Sequence, residues 1–211
     1  MKKILNMIIL ISLAMFIISG SVILGLKCKS IYYNDISKLN ISSMSGLSED
    51  EIKLNYDYLI DYNLNDFVGE FKLPTIKFSN DGKIHFEEVR NIFQFIKKMF
   101  YISFVISLAG IIFNIKNRSI KFLKYSSIMT ILLPIITLIP VMINFNYFFI
   151  KFHQVVFSNN YWIFDADIDP VIEILPQEVF LHIGVFILMI MLSISILLQT
   201  VYRLINKKMN I

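Results

Sequence analysis

Polarity along this chain switches in long blocks, not with the short periods of a water-soluble fold. Four stretches, residues 4–26, 99–115, 128–150 and 179–202, are apolar and almost free of charge. At 1.5 Å per residue, about 20 helical residues cross a hydrocarbon layer about 30 Å thick, so each stretch is expected to be a transmembrane helix. The first follows Lys2 and Lys3, as the core of a secretory leader would. Leader cores run to only about 7–15 residues, so an uncleaved anchor is expected instead.

The blocks between spans carry shorter patterns. Ser48 followed by Glu51 matches a capping box ahead of a helix over residues 49–62, with Ile52, Tyr56, Leu59 and Ile60 on one face. Residues 27–98 hold no long apolar run before the second span, so that face is expected to lie on the membrane or on the spanning helices. Beyond Pro74, Thr75-Ile76-Lys77-Phe78 reads as a short strand entering a turn at Ser79-Asn80-Asp81-Gly82, with His85 just past it. From Phe86 the spacing of Val89, Ile92, Phe93 and Ile96 predicts one helix running through Lys97 and Lys98 into the second span. Those two lysines would extend their stems to the headgroups. Residues 151–178 are aromatic and acidic; Tyr161 and Trp162 suit a water–lipid boundary, and Asp169-Pro170 suits the start of a turn or short helix.

Composition agrees with the pattern. Hydrophobic residues make up 56% of the 211, above the roughly 45–50% of soluble domains. The expected fold is an all-α membrane protein: one domain over residues 1–211, four transmembrane helices, and a small extracytoplasmic cap, mostly helical with a short strand. Charge orients it. Lys2, Lys3, Lys116, Arg118, Lys121, Lys124, Arg203, Lys207 and Lys208 lie at span ends with no acidic neighbour, whereas all 16 Asp and Glu fall within 27–98 or 151–178. By the positive-inside rule both termini are cytoplasmic and those two segments lie outside. The net charge of +4 is thus a topology signal and not a nucleic-acid footprint, because the basic residues form no aromatic-lined stripe.

Candidate chemistry is sparse. The single cysteine, Cys28, follows the first span, but Lys27 occupies the place where a lipoprotein cleavage box needs a small residue. One cysteine also excludes an intrachain disulfide, and no Cys/His zinc spacing, Gly-rich phosphate loop, G-x-S-x-G elbow or H-E-x-x-H helix occurs. The acidic residues from Asp165 to Asp169 depart from the EF-hand spacing and read as a solvated turn. Of the three histidines, His85 and His153 both fall where an outer segment meets a span, while His182, one turn into the last span, reads as an interfacial or packing residue. A histidine titrates near neutrality, so two of them can remove and return a proton; they can equally be interfacial residues bonded to nearby carboxylates.

Phe152-His153, Phe157-Ser158-Asn159, Trp162, Asp169 and Leu175-Pro176, with His85 ahead of Val89-Arg90, resemble the lipoprotein intramolecular transacylase (Lit) family of low-GC Gram-positive bacteria. The likeness covers essentially the whole chain and departs at Gln177-Glu178, where the family pairs the proline directly with glutamate. It implies a cell-membrane enzyme needing no cofactor or metal. Its substrate would be a diacylglyceryl-modified lipoprotein held at the outer leaflet among membrane lipid. The sn-2 acyl chain would pass to the α-amine of the lipoprotein's own N-terminal cysteine, giving the lyso form. Under that reading His85 and His153 are the acid–base pair, and Asn159, Trp162, Asp169 and Arg90 are substrate-binding or oxyanion candidates. Pro134 and Pro140 would kink the third span and open a lateral slot for acyl chains. The contrasting reading is a non-enzymatic sensor or assembly factor whose cap binds a partner.

Overall fold

The computed structural model describes residues 2–66, 69–117 and 119–209. The side chains of Pro134 and Pro140 lie outside the described residues, and so does the expected effect of those prolines. Nine helices follow in order among the described residues: α1 (Lys2–Lys27), α2 (Ser30–Lys38), α3 (Ile41–Ser45), α4 (Glu49–Leu64), α5 (Asn80–Lys116), α6 (Lys121–Ile143), α7 (Phe145–Val156), α8 (Val171–Ile174) and α9 (Gln177–Met209). Three of the described helices are long and apolar enough to cross a membrane: Ile4–Lys27, Asn80–Lys116 and Gln177–Lys208. At 37 residues, α5 is about 55 Å long, well beyond the hydrocarbon thickness. Asp81, Glu87, Glu88, Arg90, Lys97 and Lys98 mark its first five turns as the part outside the apolar crossing length.

The chain divides into two compact units. One comprises residues 1–24, 96–139 and 186–211. Its core is Leu13, Ile17 and Phe122, packed by Phe16, Ile111, Leu123, Ile194 and Leu198. Phe16 stacks on Phe100 with centroids 5.0 Å apart. Small residues let the helices approach and polar ones join them, as is usual where no hydrophobic force acts between helices in lipid. A Cβ on Gly110 would come within 2.6 Å of Ile9. Ser126 Oγ donates to the Leu10 carbonyl at 3.3 Å, and Ser195 Oγ to the Ser127 carbonyl at 2.6 Å. Lys98 is exposed, whereas Lys97 is buried.

The other unit, residues 25–95 and 140–185, has a core that the hydrophobic pattern did not announce. The capping box forms as expected, with Ser48 accepting from Glu51 N–H and Glu51 accepting from Ser48 N–H. The face of α4 carrying Ile52, Tyr56, Leu59 and Ile60 is buried, and it packs within this unit: Tyr56 stacks on Tyr32 at 3.7 Å, and Tyr32 donates its hydroxyl to the Ile174 carbonyl at 2.7 Å. Phe71 joins the same core through edge contacts with Tyr62 and Phe78 and a stack on Phe86.

Two expectations about elements fail. Among the described residues there is no strand, and residues 75–78 are irregular. The reason is that α4 side chains take their backbone and neighbouring groups: Asn55 accepts the Thr75 N–H at 3.2 Å and donates to its hydroxyl at 2.6 Å, and Tyr58 accepts the Lys72 N–H at 2.8 Å. With those groups satisfied locally, no ladder partner is needed. The apolar run over residues 128–150 is likewise not one helix. It divides at Asn144, whose non-helical backbone ends α6 and whose side chain accepts the Tyr147 N–H at 3.0 Å to cap α7.

Candidate functional site

The placement of His85 depends on where α5 begins. Residues 79–82 form no turn; they are the start of the helix. Asp169, 5% exposed, accepts the Ser79 N–H at 2.7 Å, and Ser79 Oγ accepts the Gly82 N–H at 2.9 Å. The first-turn N–H groups of a helix have no internal partners, and a carboxylate there both satisfies one and faces the positive end of the helix dipole. Asp169 therefore starts α5 six residues earlier than periodicity predicted. His85 sits in the second turn of the helix and not in a loop.

His153 lies in the last turn of α7, with Nδ1 2.7 Å from the Phe149 carbonyl. A carbonyl only accepts, so this bond assigns the proton to Nδ1 and leaves the Nε2 lone pair free. The centroids of the two imidazoles are 6.0 Å apart. Aromatic rings enclose them: Phe157 is 4.7 Å from His85 and 5.6 Å from His153, Phe164 is 5.5 Å from His85, and Phe149 and Trp162 are 4.4 and 5.0 Å from His153.

This enclosure sets the charge of the pair. His85 is 5% exposed; burial, and after it the neighbouring His153, push its imidazole down to about 4. Burial also pushes His153 below its usual value, opposed by its bond to the Phe149 carbonyl. The causes are physical: an apolar surround penalises the imidazolium, and two such cations side by side repel. At pH 7 the site holds two neutral rings.

The other sequence candidates fall into different places. Asn159, in the loop after α7, donates to Glu88 Oε1 at 2.8 Å, accepts the Tyr161 N–H at 3.1 Å, and through its carbonyl accepts the Trp162 indole N–H at 3.0 Å. The one donor of Trp162 is thereby used inside the loop, while its ring covers His153. Asp169 anchors the start of α5. Arg90 donates to the Tyr62 and Asp66 carbonyls and lies 5.1 Å from the Tyr62 ring, so it pins the end of α4 to α5. His182 pairs through Nδ1 with buried Asp35 at 2.8 Å, a packing role.

Glu88 is not apparent from the sequence pattern. It stands three residues after His85, on the same face of α5, and the signal was that spacing. Starting the helix at Phe86, one residue after His85, hid it. A depression of about 560 Å³, lined by Phe71, Pro74, Phe78 and Lys83 among others, includes neither histidine. Among the described residues no three His, Cys, Asp or Glu side chains converge as a metal site would require.

The family model for the lipoprotein intramolecular transacylase Lit matches residues 7–180. The chain belongs to the Lit family. It is thus an acyltransferase by membership, and the non-enzymatic reading is set aside. A crystal structure of the membrane integral lipoprotein intramolecular transacylase Lit from Bacillus cereus superposes with a TM-score of 0.95 at 38% identity, covering 99% of this chain and 97% of that one. Two further structures of that B. cereus protein, each with a histidine mutated, to arginine in one and to alanine in the other, match at TM-scores of 0.89 and 38% identity. They cover 99% of this chain and 93% and 94% of theirs. No curated protein matches.

Proposed function

We propose that this chain moves the sn-2 acyl chain of a diacylglyceryl-modified lipoprotein onto the α-amine of that lipoprotein's own N-terminal cysteine, with His85 and His153 as the acid–base pair. The observation that carries the reading is the pair itself: two neutral imidazoles 6.0 Å apart in an aromatic enclosure, one with its Nε2 lone pair free. A buried neutral histidine accepts a proton only transiently and returns it readily. That suits removal of a proton from the attacking amine and its delivery to the departing glycerol oxygen, an effect typically worth about 10²–10⁴-fold.

Donor ester and acceptor amine belong to one substrate, so most of the rate enhancement comes from holding them in attack geometry, up to roughly 7–11 kcal/mol in well-oriented cases. The rings around the histidines suit that task by confining an acyl chain and excluding water. Asn159 keeps a second amide N–H beyond the one given to Glu88, and it is the better oxyanion donor. Trp162 acts through its ring, and Asp169 and Arg90 position α5. No cofactor enters the reaction.

The topology belongs to the same proposal: four crossing segments, with α6 the fourth, both termini cytoplasmic, and residues 27–98 and 151–178 on the outer face with the lipoprotein substrate and membrane lipid. Charge supports it, since acidic residues occur only in those two segments.

Expression in a host that otherwise makes diacylated lipoproteins, with N-terminal lipopeptides read by mass spectrometry, is expected to show the lyso form. His85→Ala and His153→Ala are each expected to abolish it while leaving the protein in the membrane fraction. Wild-type conversion by both variants would overturn the acid–base assignment.

A further inference from the structure

We propose that Glu88 is the subsite for the acceptor nitrogen, its unpaired carboxylate oxygen receiving the α-ammonium of the substrate's N-terminal cysteine; this rests on the acyl-transfer reading above.

Glu88 Oε1 is held by Asn159 Nδ2 at 2.8 Å, whereas Oε2 is buried and has no partner among the described residues. His85 Nδ1, one helical turn away on the same face of α5, is likewise buried without a partner among the described residues. Asn159 links the carboxylate to the loop whose Trp162 covers His153. The free oxygen therefore belongs to a carboxylate that lies on the helix face of one histidine and is tied through its second oxygen to the loop that encloses the other histidine. A buried carboxylate oxygen without a donor is costly, so a native protein keeps one only for a reason, and beside two histidines of a transfer site that reason is catalytic. The chemistry that satisfies it is a compact cation rich in N–H groups. Near neutral pH the α-amine of a peptide is such a group for much of the time.

The carboxylate serves the nitrogen twice. It binds the arriving ammonium, which then gives one proton to water. As the neutral amine adds to the sn-2 ester carbon, its lone pair becomes the new C–N bond and the nitrogen regains positive charge beside the same oxygen. The C–O bond to glycerol then breaks. Of the two protons left on nitrogen, one passes through the histidines to the glycerol oxygen and one remains on the amide.

The test compares two ligands on the wild-type enzyme: a diacylglyceryl-cysteinyl peptide with its α-amine, and the same lipopeptide lacking the amino group. The amine form is expected to bind about 10-fold or more tightly near pH 7, the size of a charge-assisted bond. Glu88→Gln keeps an acceptor for Asn159 but is expected to lose that preference and most conversion, and Glu88→Asp to restore part of both. Asn159→Ala, which frees the loop but leaves the carboxylate, is expected to keep the preference; if Glu88 only anchored the loop, Glu88→Gln, which keeps that anchor, would bind like the wild type and Asn159→Ala would be the variant that loses the preference. Equal binding of both ligands by the wild type, or an undiminished preference in Glu88→Gln, would overturn the subsite. Absence of lyso product from the wild type would instead overturn the transacylase reading, and the binding comparison would still be legible.

Discussion

A methyl group at Gly82 tests whether the start of α5 is built by Asp169. In the structure a Cβ there would lie 2.5 Å from Asp169 Oδ1 and 3.2 Å from its Cγ, so the whole carboxylate must move. Asp169 is 5% exposed and has little room, and moving it breaks its bond to Ser79 N–H. Loss of such a charged hydrogen bond costs about 1.5–3 kcal/mol. Replacing glycine by alanine in a helix returns up to about 1 kcal/mol. Gly82→Ala is therefore expected to destabilise the protein by about 1–2 kcal/mol and to slow conversion, because His85 rides on this end of α5. In an Asp169→Ala background the obstacle is gone, and only Ser79 Oγ remains close, at 3.3 Å. There the same change is expected to be neutral or stabilising. Unfolding in mixed micelles, followed by the fluorescence of Trp162, the single tryptophan, gives all four corners of the cycle. An equal loss from Gly82→Ala in both backgrounds would show that the Asp169 carboxylate is not what the added methyl displaces.

Protonation should tell on His85 from the stability side. Its folded value of about 4 lies below the unfolded 6.5, so between those pH values the unfolded chain takes up a proton that the folded one refuses. Stability is then present in full above pH 6.5 and falls as pH drops towards 4, by up to about 3 kcal/mol. Unfolding titrations of wild type and His85→Asn across this window isolate the effect from carboxylates common to both; parallel curves would show that the burial is not felt. Away from the site, Ser48→Ala removes the capping box of α4 and is expected to cost about 1 kcal/mol in the same unfolding assay, with conversion within about twofold of wild type.

Much of the site is legible in the amino-acid sequence. His85 and His153 stand out because a chain with only three histidines places two of them beside apolar runs. The structure brings them to 6.0 Å although 68 positions separate them in sequence. Glu88 does not stand out, because its signal, the spacing from His85, means something only once both are known to be on one helix. That in turn depends on Asp169, 90 residues along, which no local pattern around residues 79–82 could reveal.

The division between the two kinds of information follows from range. Helical class, the apolar lengths of α1 and α9, and the capping box of α4 were set by the sequence itself, because apolar length and a side chain three residues from its partner are local quantities. Tertiary structure decided the rest. Whether Thr75 pairs in a ladder or bonds to Asn55, whether α5 begins at residue 80 or 86, and whether two histidines stay neutral all depend on groups that are distant in sequence and near in space, and burial, the cause of both depressed imidazoles, exists only once the chain has folded around them.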